Sequence, residues 1–217
     1  MKKGLNRRDF IGRASVATFT GALLGGCIIR DSEGSEDAAK DPVGSTMEEE
    51  IEKNRKMPRD LVMKMLDQKV DHYMQLSYHC AQSSFMVLKE QFGLDGDEVV
   101  KALTPLAGIA ERGETCGAVT GPLMAFGLIY GRGENRLDDW ETYRESLVPS
   151  GKFCTQFETE FGSTMCHDVQ KVKFGRCFRL IDPEELREFQ KAGATEHCSA
   201  VVRTAVRMAA NIILDDT

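Results

Sequence analysis

The chain has 217 residues, a formal charge of −6, and is 41% hydrophobic and 29% charged. That is room for one domain with a real core, and the acidic balance argues against nucleic acid as a general partner. Beyond a weakly apolar N-terminal segment, nothing approaches the roughly 20 apolar residues of a membrane-spanning helix.

Asn6-Arg7-Arg8-Asp9-Phe10-Ile11 reads as a twin-arginine export signal, and the apolar segment Ala14 to Leu24 leads into Leu24-Gly25-Gly26-Cys27, which resembles a bacterial lipobox. Residues 1–26 are therefore expected to be removed, leaving Cys27 as a lipidated first residue that holds the protein on the membrane. That cleavage takes five basic residues and one acidic residue from a charge of −6 and leaves −10. The expected location is the periplasmic or extracytoplasmic face, reached by a route that carries folded proteins. Residues 27–57 are polar and charged and read as a flexible tether, helical at most near its end.

The domain is expected over 58–217. Val62, Leu66, Val70 and Tyr73 recur at helical spacing, and Ala81, Phe85, Leu88 and Phe92 form a second stripe that stops at Gly93. Asp95 to Ala107 reads as a short helix and loop ended by Pro105. Cys116 to Tyr130 is a glycine-rich apolar helix, expected to bend at Pro122 and to close at Gly131 and Gly133. Leu137 to Val148 is amphipathic, with Trp140 expected to serve the core or other packing rather than contact a ligand. Pro149-Ser150-Gly151 should break that run before it resumes from Lys152 to Phe161. Gly162-Ser163 starts a short helix, Val172 to Ile181 could hold an extended piece, and Pro183 opens a helix ending at Gly193. Thr195 is expected to cap a last helix with Cys198, Val201, Val202, Ala205, Met208 and Ile212 on one face. No strand-length alternation and no repeat occurs, so the expected fold is all-α, a compact bundle of about six helices.

Chemistry rests on the cysteines. Besides Cys27 there are Cys80, Cys116, Cys154, Cys166, Cys177 and Cys198, with no Cys-x-x-Cys pair. That spacing tells against a thioredoxin-like motif, a zinc ribbon or the common ferredoxin runs, so any shared site must be assembled from different helices. Ser77, Ser163 and Thr195 each stand three residues before a cysteine. As N-caps they would put Cys80, Cys166 and Cys198 in positive first turns, and Thr115 or Gly113 would do the same for Cys116. Such thiols suit either an anionic iron–sulfur cluster or low-pKa redox chemistry. The spacing fits equally well small, inert cysteines buried where helices pack tightly. His79, His167 and His197 adjoin cysteines, but neighbouring helical side chains diverge by about 100°, which leaves them supporting rather than sharing a ligand role. No hydrolase elbow, zinc-protease, P-loop or dinucleotide motif is present.

His79-Cys80-Ala81-Gln82, Gly113-Glu114-Thr115-Cys116-Gly117-Ala118-Val119-Thr120-Gly121, Phe161-Gly162-Ser163-x-x-Cys166 and Cys198 before an Ala/Val-rich helix together resemble the C_GCAxxG_C_C family over roughly residues 60–214. The resemblance implies redox activity, with Cys80, Cys116, Cys166 and Cys198 as the hallmark thiols and Gly117, Ala118 and Gly121 as motif support. Cys154 and Cys177 fall outside that quartet. Three functions follow in order of expectation. The first is electron transfer by an iron–sulfur cluster or other metal centre on the four thiols. The second is thiol–disulfide exchange by the same thiols without a metal. The third is a disulfide-stapled, non-enzymatic lipoprotein that binds another envelope protein. In either redox case the partners would be the membrane, through Cys27, and a redox protein.

Overall fold

The computed structural model describes residues 45–216; the expected export signal, Cys27 and the tether up to residue 44 lie outside them. Among the described residues the fold is all-α. The helices are α1 (Met47–Lys56), α2 (Arg59–Ser77), α3 (Cys80–Phe92), α4 (Asp97–Ala102), α5 (Gly108–Glu111), α6 (Gly117–Tyr130), α7 (Trp140–Phe161), α8 (Cys166–Phe174), α9 (Pro183–Lys191) and α10 (Ala194–Asp215). No helix described is long and apolar enough to cross a membrane.

The main core forms where the stripes of α2, α3, α6, α7 and α10 meet. Val62, Leu66 and Val70 of α2 and all four apolar residues of the α3 stripe are fully buried. On α7, Phe153, Phe157 and Phe161 recur every four residues and are buried, with Phe126 of α6 edge-on to Phe153 at 5.7 Å between ring centres. Helical structure begins before Pro58. Thr46 caps α1 in a reciprocal box with Glu49, and Asn54 is tied to α3 through the Gln91 carbonyl at 2.8 Å.

Three local expectations are corrected. α7 runs unbroken through Pro149 because the three buried phenylalanines hold its second half in the core. The carbonyl that Pro149 leaves unpaired belongs to Glu145, on an exposed face where water can reach it. Trp140 is 65% exposed rather than in the core. It stacks on Tyr143 at 4.8 Å, and the Arg132 guanidinium lies 4.9 Å from the Tyr143 ring centre. No strand forms between Val172 and Ile181: α8 continues to Phe174, and an irregular segment leads to α9. That segment and α9 build a second, smaller cluster around Phe178, Phe189 and Ala194, with Phe174 and Cys198 packed against it.

The backbones of α3 and α6 come into direct contact. A Cβ on Gly121 would lie 2.0 Å from Ser84 Oγ and 2.5 Å from the Ala81 carbonyl oxygen. One on Gly117 would lie 2.2 Å from Cys80 Sγ and 2.6 Å from the Ala81 nitrogen. The four-residue glycine spacing is what lets the two helices touch. Gly121→Ala is expected to cost about 3 kcal/mol or more, at the upper end of overpacking. Gly151, inside α7 with nothing within 4 Å of its would-be Cβ, is the contrast: Gly151→Ala should add about 0.5–1 kcal/mol. Chemical denaturation of both variants measures the difference.

Candidate functional site

Three of the four hallmark cysteines stand at helix starts. Cys80 is the first residue of α3, Cys166 the first of α8, and Cys116 the N-cap of α6. The expected caps are not the ones used. His79 caps α3, its Nδ1 accepting the Gln82 N–H at 3.2 Å, while Met165 and Gly193 precede α8 and α10. Ser77 and Ser163 instead act one step earlier. Each hydroxyl accepts a backbone N–H two residues on, from His79 at 3.1 Å and from Met165 at 3.0 Å, and so turns the chain into the helix. Thr195 lies inside α10, and Cys198 sits one turn into that helix.

Backbone pairing brings Cys116 and Cys166 together. Thr115 and Met165 form an isolated antiparallel bridge, in which the Cys116 N–H donates to Thr164 O at 2.9 Å and the Cys166 N–H donates to Glu114 O at 2.7 Å. Side chains alternate along paired backbone, so the two cysteines, each one step from the bridge, turn to a common face. Cys80 joins them because Gly117 has no side chain to hold α3 away. Cys80, Cys116, Cys166 and Cys198 then line one cavity of about 150 Å³, walled also by Phe174, Leu186, Phe189 and His197. Cys154 and Cys177 do not line it, and all six described cysteines are free thiols.

A turn of left-handed backbone closes another side. Gly108, Ile109, Ala110 and Glu111 all have positive φ, at 57°, 46°, 54° and 61°. Each of the three non-glycine residues costs about 1–2 kcal/mol in that conformation. Bonds from Arg112 N to Gly108 O at 3.0 Å and from Glu114 N to Gly108 O at 3.1 Å hold it. Gly108 backs directly on Cys166, whose Sγ would lie 3.5 Å from a Cβ there.

The sulfurs are electrostatically unequal. Contacts with Cys166 and Cys80, together with burial, hold Cys116 well above the usual thiol range. The same contact with Cys116 draws Cys166 down to about 7, against the opposing effect of burial, with further help from the Gln170 amide and the His167 ring. The first-turn amides of α8 act in the same direction. Burial pushes Cys198 up, and the neighbouring Cys80 and Cys166 add to the effect. His167 faces an acceptor with each ring nitrogen: Nδ1 meets Gly113 O at 2.7 Å and Nε2 meets Asp168 Oδ1 at 3.2 Å.

Sequence reasoning missed Gln170. It is buried, donates from Nε2 to Cys166 Sγ at 3.4 Å, and accepts the Phe178 N–H on Oε1 at 2.7 Å. Its position four residues after Cys166 was the available signal, since such pairs share a helix face.

Among the described residues no three His, Cys, Asp or Glu side chains are grouped as one metal ion would require. The four thiols ring a cavity rather than a point. As placed they do not converge as the ligands of one metal ion.

The pH dependence of alkylation tests this ordering of the sulfurs. Iodoacetamide should label Cys166 of the folded protein with a half-maximal rate near pH 7, because a depressed thiol is ionised above its own pKa. Cys116 and Cys198, both raised, should stay unlabelled through about pH 9, the ordinary thiol range, and react once the chain is denatured. Peptide mass spectrometry separates the sites.

A family model described as "Putative redox-active protein (C_GCAxxG_C_C)" matches residues 78–212, a span that holds all four cavity cysteines and the Gly117–Gly121 contact. No curated protein and no solved structure matches the chain. On that match the chain belongs to the C_GCAxxG_C_C family, whose members are described as redox-active.

Proposed function

We propose that the protein is a thiol–disulfide redox protein in which Cys166 is the attacking sulfur and Cys116 the resolving one. One observation carries this reading: the Thr115–Met165 bridge turns Cys116 and Cys166 to one face of a shared cavity, with Cys166 at the first turn of α8. The lowering of the Cys166 thiol and the raising of the Cys116 thiol support that order of roles. Exchange needs a thiolate to attack, a second thiol within reach and access for the other disulfide. Cys166 is partly exposed at the wall of the cavity, which supplies the access.

The step balances with a disulfide-bonded partner as oxidant. The Cys166 thiolate attacks one sulfur of the partner's disulfide; that bond breaks, and the second partner sulfur leaves as a thiolate, which takes up a proton. Cys116 then gives up its proton and attacks Cys166 Sγ. The mixed disulfide breaks, the first partner sulfur departs and is protonated, and Cys116–Cys166 is left oxidised. Two electrons pass to the partner, and the reverse sequence oxidises it. Closing the bond requires the sulfurs to come to about 2.05 Å. Cys80 and Cys198 are walls of the site in this reading. The twin-arginine and lipobox patterns support a place outside the cytoplasm, anchored through Cys27.

Anaerobically purified protein equilibrated in thiol buffers of stepped potential tests the reading. Two thiols should be lost as a unit, peptide mapping should find Cys116 joined to Cys166, and Cys116→Ser should stop at a mixed disulfide on Cys166. Stoichiometric metal with acid-labile sulfide in that preparation, or oxidation that leaves both thiols free, overturns it in favour of a cluster or of a non-redox role.

A further inference from the structure

Beside the thiol pair lies a buried polar side chain, Gln170, that bonds both to the backbone and to one of the sulfurs. Gln170 sits on α8 and is 3% exposed. Its two amide ends face different partners, Phe178 N at 2.7 Å and Cys166 Sγ at 3.4 Å. A backbone N–H can only donate, so the atom facing Phe178 must be the carbonyl oxygen; the NH2 group is then the one turned to the sulfur. The orientation of the amide is dictated from outside α8, by the irregular segment between α8 and α9.

That segment is a separate piece of packing. It leaves α8 at Gly175 and, after α9, the chain enters α10 at Gly193, both glycines left-handed, with φ of 74° and 84°. Between them Phe178 and Phe189 pack with Phe174 at 5.7 Å and 5.1 Å between ring centres, forming the small cluster apart from the main core. The Phe178 amide is thus fixed by its own ring, and the ring by the cluster.

We propose that Gln170 is the positioning residue of the site: aimed by the Phe178 N–H, its amide stabilises negative charge on Cys166 Sγ and makes that sulfur, not Cys116, the one that attacks. This rests on the thiol–disulfide reading above. Other groups face Cys166 as well. Cys116 precedes α6, Cys80 begins α3, and Cys198 comes from α10; Cys116 and Cys198 are held as thiols. Charged and titratable neighbours around the cavity are Tyr78 at the end of α2, Glu111 on the left-handed turn, His79 at α3, Lys173 on α8 and His197 on α10, with His167 next to Cys166 itself. Among the described groups outside the thiol pair, Gln170 alone has a hydrogen bond to this sulfur.

The test is the pH profile of Cys166 alkylation in the full chain. Gln170→Met keeps the volume and removes the donor; Gln170→Glu keeps an acceptor for Phe178 and turns a carboxylate oxygen to the sulfur. At pH 7 the rate should fall roughly threefold in the first, the loss of thiolate that about 1 kcal/mol of one hydrogen bond brings from a midpoint near 7, and further in the second. Both half-maxima should move up in pH, with the order wild type, Met, Glu. In the wild type, the Gln170 side-chain amide resonances should titrate with the same midpoint as Cys166 alkylation, a measurement that does not depend on either variant folding. Unchanged profiles in folded variants, or a Gln170 resonance that ignores the Cys166 titration, overturn the proposal. Should wild-type Cys116 and Cys166 form their disulfide while those outcomes fail, the redox reading stands and only the role of Gln170 falls. Should the disulfide never form, the redox reading falls whatever the profiles show.

Discussion

The whole arrangement depends on how near α3 comes to α6. Helices with ordinary side chains between them lie about 8–10 Å apart, and at that distance Cys80 would stand clear of Cys116. Gly117 and Gly121 remove the spacers, and the Ser84 hydroxyl fills the seam by bonding to the Cys80 carbonyl at 2.8 Å and reaching the Gly117 carbonyl at 3.3 Å. The polar atom is therefore satisfied where no water could enter. A dense, dry contact along the motif supports the cavity that the four cysteines line at its start.

From that fixed point the chemistry is differentiated by backbone, not by exotic residues. A single backbone bridge brings Cys166 beside Cys116, and the start of α8 places that sulfur among unpaired amides. Cys116, buried and next to two other sulfurs, keeps its proton. A symmetrical pair would share its charge and offer no direction to an exchange reaction. Here hydrogen bonds, burial and a helix terminus all separate the two, and the left-handed turn at Gly108–Glu111 walls the site at a conformational cost that the surrounding bonds sustain.

Much of this could be read from residue order. The stripes on α2, α3 and α10 follow helical periodicity, and the buried faces are those that the spacing selects. The four cysteines meet at helix starts and early turns, as the small polar residues before them suggest, yet those residues do not cap the helices. Local propensity misleads at Pro149 and Trp140 because the outcome at each depends on what lies opposite. Three phenylalanines carry the helix past the proline, and no element covers the tryptophan. Gln170, the Thr115–Met165 bridge and the left-handed turn were illegible for a different reason. Each is defined by the particular group it pairs with, and neither hydropathy nor spacing encodes which group that is. Gln170 alone left a trace, in its offset from Cys166.

The seam between α3 and α6 also bears on the genetics of the protein. At Gly121 the intruding methyl would strike not only the Ser84 hydroxyl but the Ala81 carbonyl and the Phe85 nitrogen, at 2.5 Å and 2.9 Å. Trimming Ser84 to a smaller residue clears the first obstacle and leaves the other two, because main-chain atoms cannot be mutated away. A local suppressor of a lesion at this glycine therefore has to move one helix against the other rather than merely trim a side chain.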